Sequence, residues 1–160
     1  MINRIRKMIK PLVVLAFVCM VFSCTNNALY FEYASVNENG WMKDSTCRYE
    51  ISVNNTDELY NMYINTRNTG NYPYQNLWLF ITEMGPDSVV KHDTINFYLA
   101  DEFGMWLGKG VGHAYNMPVL YRQNFKFQQK GVYKFEIGQG MRDSMLLGIS
   151  DVGIKVEKAN

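Results

Sequence analysis

Hydrophobic residues along this chain recur at every second position, the period of a half-buried strand. Thr46 to Val53 is the clearest case, because Cys47, Tyr49, Ile51 and Val53 alternate with Arg48, Glu50 and Ser52. One face of that strand is core and the other is solvent. Tyr30 to Val36 predicts an earlier strand, closed by the turn signal Asn37-Glu38-Asn39-Gly40. Tyr60, Met62 and Ile64 are the inward set of Leu59 to Asn65, and Ile95, Phe97 and Leu99 that of a later segment. Leu77-Trp78-Leu79-Phe80-Ile81 is apolar at every position and predicts a central strand covered on both faces. Val119 to Phe127, Val132 to Ile137 and Ile149 to Val156 complete the set.

Between these segments, Thr66 to Tyr74 reads as a polar loop, and Gly138 to Leu147 has room for one helical turn. Asp101 to Asn116 holds four of the twelve glycines and reads as a long irregular excursion. Excursions of that length in a compact domain are more often functional than connective. About eight short strands without a long amphipathic helix hide their apolar faces by sheet-on-sheet packing. The expected fold is all-β, an antiparallel β-sandwich, with the jelly roll as one form open to it. An aromatic content of 14%, with 11 Tyr and 9 Phe, agrees with sheets.

The first 23 residues do not fit this pattern. Arg4, Arg6, Lys7 and Lys10 precede an apolar run from Leu12 to Phe22, then Ser23 and Cys24. That order is a secretory signal, and it resembles a bacterial lipobox, in which cleavage leaves a lipid-modified cysteine, here Cys24. The run is shorter than the ~20 residues of a permanent span. An ordinary secretory signal with Cys24 as bystander, or a single-pass anchor, are the alternatives. The expected organisation is residues 1–23 as signal peptide, 24–29 as a lipidated tether and 30–160 as one sandwich domain.

After Ser23 there are twelve basic and fifteen acidic residues, a net charge of −3. With no basic stripe, nucleic acid is not an expected partner. Cys19 departs with the leader and Cys24 would be acylated, so Cys47 is left without a disulfide partner. Its place on an apolar strand face makes it a small buried hydrophobe rather than a reactive thiol.

Catalytic signatures are absent. His92 and His113 lie 21 residues apart, and neither a His-Glu-x-x-His nor a Cys-x-x-Cys spacing occurs, so no metal site is expected. Gly104-Met105-Trp106-Leu107-Gly108-Lys109-Gly110 has the wrong glycine spacing for a phosphate loop and lacks its hydroxyl residue. No nucleophile elbow is present. Neither an enzyme nor a cofactor is expected. The informative side chains are aromatic: Tyr72 and Tyr74 flank Pro73, and Trp106 sits in the glycine-rich excursion. They could bind a sugar ring or a partner chain, or plug the open end of the core. Asp44-Ser45-Thr46, Asp87-Ser88-Val89, Asp93-Thr94-Ile95 and Asp143-Ser144-Met145 resemble the O-glycosylation motif of exported proteins in Bacteroidota. Ser45, Ser88, Thr94 and Ser144 are therefore candidate acceptors, although a turn aspartate before a strand produces the same tripeptide.

Asn71-Tyr72-Pro73-Tyr74-Gln75-Asn76-Leu77-Trp78-Leu79-Phe80-Ile81, Leu99-Ala100-Asp101 with Trp106 to Gly110, Gly131 to Ile137 with Met141-Arg142, and Gly148 to Ile154 occur in that order. Together they resemble the gliding-motility lipoprotein GldH family of Bacteroidota. The resemblance implies a cell-envelope lipoprotein needed for gliding in motile members, with no assigned enzymatic activity. With the lipobox it gives a domain held to the membrane through acyl chains on Cys24 and partnered by other envelope or gliding-motility proteins. A carbohydrate-binding envelope module is the alternative. Surface-exported lipoproteins of that phylum carry acidic residues after the cysteine, whereas Thr25-Asn26-Asn27-Ala28 has no charge. The expected location is the outer membrane, facing the periplasm.

Overall fold

A computed structural model describes residues 28–159. The signal peptide and Cys24, with the tether up to Asn27, lie outside the described residues.

Eleven strands follow in order: β1 (Ala28–Ser35), β2 (Trp41–Met42), β3 (Thr46–Val53), β4 (Tyr60–Thr69), β5 (Asn76–Met84), β6 (Val90–Tyr98), β7 (Lys109–Val111), β8 (Ala114–Phe125), β9 (Gly131–Gln139), β10 (Met145–Leu146) and β11 (Ile149–Lys158). There is no helix among the described residues. One sheet runs β1-β11-β4-β8-β7 and the other β3-β9-β5-β6, with β2 and β10 forming a two-stranded cap. Every pairing is antiparallel.

The eight long strands pair from the outside in: β1 with β11, β3 with β9, β4 with β8 and β5 with β6. One long hairpin folded over on itself gives that set, with partners alternating between the two sheets, which is the jelly roll. The alternation read in the sequence is what closes it. Cys47, Tyr49, Ile51 and Val53 from β3 face Met62 and Ile64 from β4 and Val152, Ile154 and Val156 from β11, all buried in one core. Tyr49 crosses the core, and its hydroxyl donates to the Val152 carbonyl at 2.7 Å, so the one polar atom carried inside finds a partner.

Several expectations need correction. β1 starts at Ala28, which pairs with Glu157, so Ala28 and Leu29 belong to the fold rather than the tether. β4 continues through the supposed polar loop to Thr69, because Asn65, Thr66 and Asn68 are buried despite their polarity and stay in register with β11 and β8. The glycine-rich excursion shrinks to residues 99–108, since β7 and β8 form a hairpin through Gly112, whose φ of 74° suits glycine. Gly138 to Leu147 holds no helical turn. Its Met145 and Leu146 pair with β2 and cover Trp41, whose Nε1–H donates to the Ser45 carbonyl at 3.0 Å. β5 is covered on one face only: Leu77, Leu79 and Ile81 are buried, but Trp78 and Phe80 are 42% and 49% exposed.

The register also gives the sandwich two distinct ends. Ala28, Lys158, Tyr60, Phe125, Gly131 and Met84 lie at one, the end at which the chain enters. Ser35, Thr69, Ala114 and Tyr98 lie at the other, with the loop that follows β6.

Candidate functional site

The distal end, remote from Ala28, is built on the connection between β4 and β5. Pro73 fixes its own backbone angle, and the chain turns so that the Tyr72 amide donates to the Thr69 carbonyl at 3.2 Å. Tyr72 then points inward. Its hydroxyl donates to the Asn76 carbonyl at 2.7 Å, and burial first, then the neighbouring Tyr74 and Asp143, push its pKa well above the ordinary tyrosine value. Room for this turn comes from Gly148, whose φ is 81° and where a Cβ would collide with the Tyr72 backbone.

The three aromatic residues singled out in the sequence do come together, but in different roles. The Tyr72 ring lies 5.9 Å from Tyr74 and 6.4 Å from Trp106, and Trp106 lies 5.7 Å from Tyr115 on β8. This row runs from the β4–β5 connection to β8. Tyr72 is 4% exposed and takes the second of the two roles left open by the sequence: it plugs the core and offers no contact surface. Tyr74 is exposed and its hydroxyl donates to Asp143 at 2.7 Å, while Trp106 is half-buried.

The loop from Leu99 to Leu107 is braced rather than loose. Gln75 accepts from the amides of Leu99 and Ala100 at 2.6 and 3.1 Å, and Leu107 donates back to the Leu99 carbonyl at 2.8 Å. Asp101 is consumed structurally, since its Oδ1 accepts from the amides of Phe103 at 3.0 Å and Met105 at 2.8 Å. Those bonds hold the tip in a tight turn. At the tip, Phe103 and Met105 are 82% and 67% exposed, with Leu107 and Tyr98 exposed beside them. Sequence reasoning named the excursion but not Phe103 and Met105 as its exposed tip; the available signal was two large apolar residues flanking Gly104 in a turn-forming stretch.

A second exposed surface borders the first. Tyr74, Asn76, Trp78, Gly140, Met141 and Arg142 line a shallow hollow of about 260 Å³. Gly140 keeps it open, because a Cβ there would stand 3.1–3.2 Å from Trp78 and Phe80.

Other candidates are placed plainly. The hydroxyls of Ser45, Ser88, Thr94 and Ser144 are all on exposed residues, three in turns and Thr94 on β6. Cys47 is buried, and desolvation raises its thiol pKa. His92 is on β6, and His113 is in the turn between β7 and β8. Among the described residues no three His, Cys, Asp or Glu side chains gather in a way that could hold a metal.

A family model described as GldH lipoprotein matches residues 28–156. The chain belongs to the GldH lipoprotein family. It is 35% identical over 152 residues to a gliding motility lipoprotein GldH homolog of Christiangramia forsetii, covering 90% of this chain and 93% of that one. It is 33% identical over 146 residues to the gliding motility lipoprotein GldH of Flavobacterium johnsoniae, covering 87% and 90%. Membership makes this chain a gliding-related lipoprotein, anchored to a membrane of the cell envelope. Among solved structures, a 4-O-methyl-alpha-glucuronidase aligns at a TM-score of 0.42 with 9% identity, over 86% of this chain and 18% of that one. A likeness that loose carries no functional argument.

Proposed function

We propose that this GldH family member is a non-enzymatic interaction component of a gliding-related envelope machinery, lipidated on Cys24 and presenting its distal end to a protein partner. The observation that carries the reading is the apolar tip, Phe103 and Met105, held by a hydrogen-bonded loop at the end away from the chain entry. A monomeric domain gains nothing by fixing two large apolar side chains in solvent, whereas a partner pocket gains preorganised anchors. Tyr74 and Trp106 extend that surface. Four uncharged residues after Cys24 favour an outer-membrane location facing the periplasm, where other envelope or gliding-motility proteins are the available partners. Crosslinking from the tip in native membranes tests this reading, and the absence of any protein adduct would count against it.

A second reading rests on Trp78 and Phe80, exposed beside the hollow at Gly140. Flat aromatic rings next to amide and guanidinium donors suit the apolar face of a pyranose. Glycan-array binding abolished by Trp78→Ala or Trp106→Ala would favour it. Independently, Ser45, Ser88, Thr94 and Ser144 are exposed candidates to accept a glycan, Ser45 with its hydroxyl donating to the Met42 carbonyl at 3.0 Å, and the intact mass of native protein decides whether any does.

A further inference from the structure

The end of the sandwich where the chain enters is built unlike the rest of it. On β6 the inward positions Phe97 and Ile95 are followed, toward that end, by Asp93 and Lys91. A cleft opens there, lined by polar groups on one side and the edge of the core on the other. Glu83 on β5 meets Arg122 on β8 at 2.6 Å, Arg122 donates to the Tyr121 hydroxyl at 3.0 Å, and Tyr121 donates to Asp93 at 2.9 Å. The cleft measures about 260 Å³, with Phe125, Phe127 and Tyr133 as its apolar wall.

Its cations are not all paired. Glu83 pairs with Arg122; Asp87, which accepts from the Val89 amide at 3.1 Å, and Asp93, bonded to Tyr121, keep their negative charge beside it without an ion pair among the described residues. Lys91 and Lys126, which also line the cleft, are exposed and form no ion pair among the described residues; Lys130 follows in the same connection. Around them Leu59, Val89 and Val90 expose apolar side chains. Lysines among exposed aliphatic residues match a headgroup layer, which offers anionic phosphate over hydrocarbon.

Position decides what faces this cleft. If Cys24 carries the acyl chains, the four residue steps to Ala28 span at most about 14 Å. Ala28 lies at the same end of the sheets as the cleft, so this end is held against the bilayer. The distal tip, the length of the ten-residue β4 further on, stands roughly 30 Å beyond it.

The geometry points to a membrane-contact site in which Lys91 and Lys126 bind the phosphate of an anionic lipid headgroup at the mouth of the Glu83–Arg122 cleft. The site rests on the Cys24 anchoring reading. The lipid contact fixes the orientation of the domain, so that the distal tip is presented outward.

The test uses the full lipidated protein reconstituted into vesicles of phosphatidylcholine, alone or with roughly one-third phosphatidylglycerol. Flotation comes first. A protein that fails to float with phosphatidylcholine vesicles overturns the anchoring reading, whatever the cleft does. For protein that floats, amide hydrogen exchange is compared at residues 84–91 and 125–131. The expected result is exchange roughly thirtyfold slower with the anionic lipid, the order that two lysines at about 1 kcal/mol each give at an anionic surface. Lys91→Gln with Lys126→Gln, both at exposed positions that leave the core intact, abolishes the difference. Equal exchange in both vesicles overturns the inference, and so does protection that survives the double variant. Full protection in phosphatidylcholine vesicles by added glycerol 3-phosphate would also overturn it, since the site would then take a soluble phosphate.

Discussion

Glu83 Oε2 and Arg122 Nη2 lie 2.6 Å apart across the two sheets, with side chains 6% and 27% exposed. Glu83 Oε2 is buried without a hydrogen bond of conventional geometry, so the guanidinium compensates it chiefly through charge. Arg122 is held protonated despite its burial: desolvation disfavours the cation, but Glu83 and Tyr121 outweigh it and raise its pKa. The pair closes the core where hydrophobic residues stop.

Removing one partner should therefore cost much more than removing both. Glu83→Ala leaves a mostly buried guanidinium unpaired, and is expected to lower stability by about 3 kcal/mol, the low end for such pairs because Arg122 keeps some solvent. Glu83→Leu combined with Arg122→Met should recover most of that loss. Urea unfolding of the three variants measures both effects.

Alkaline pH should unfold the domain through its tyrosines. Burial, as the largest cause, raises Tyr121 to about 12, with Arg122 opposing and the hydrogen bond to Asp93 adding to the rise. Tyr49 and Tyr72 are raised further by burial. A raised tyrosine pKa means that the unfolded chain releases its proton first, near pH 10. The stabilisation is complete below that pH and is lost as pH rises from about 10 through about 12. Phenolate absorbance followed against pH should show these side chains ionising together with unfolding, and Tyr121→Phe should make the loss of stability over that window shallower without abolishing it.

At the distal end, Gly148→Ala should be more damaging than Tyr72→Phe. The first forces a Cβ into the Tyr72 backbone at a positive φ, and a cost of about 2 kcal/mol or more is expected. The second removes one hydrogen bond and leaves the Asn76 carbonyl unpaired, worth about 1 kcal/mol. Thermal unfolding separates them. By contrast, Phe103→Ser and Met105→Ser should leave stability within about 0.5 kcal/mol, because neither side chain packs on the core.

Cys24→Ser should move the protein from the membrane to the soluble fraction. A single acyl chain binds only marginally and stable anchoring takes two or more, so loss of the acylated residue removes the anchor and leaves headgroup contacts too weak to replace it. Fractionation of cells expressing the variant checks this, and full retention in membranes would refute lipidation at Cys24.

Much of the fold was legible because β3, β9 and β11 alternate cleanly, and alternation reports a sheet with one wet face. The same rule misled at β5. Trp78 and Phe80 made both faces apolar, and apolarity usually means burial, yet here they are exposed beside Gly140. Asn65, Thr66 and Asn68 misled in the opposite sense, as polar residues inside a strand. β2 and β10 have two residues each, too few to show a period. Of the distal site, the aromatic residues were legible but their division into plug and surface was not, since Tyr72 and Tyr74 differ only in which way the turn at Pro73 sends them. The proximal cleft was readable in principle: counting by twos from Leu77 reaches Glu83, and from Phe97 reaches Asp93 and Lys91. A charge reached on the inward register marks the place where the core ends.

The claim that the distal tip meets a protein partner is tested most directly by photocrosslinking in native membranes. A photoreactive residue is placed at Phe103, at the tip, and separately at Leu59, at the end where the chain enters. Discrete protein adducts from position 103, lost when Met105→Ser is added and absent from position 59, are the predicted result. A bare position 103, or the same adducts from both positions, would contradict it.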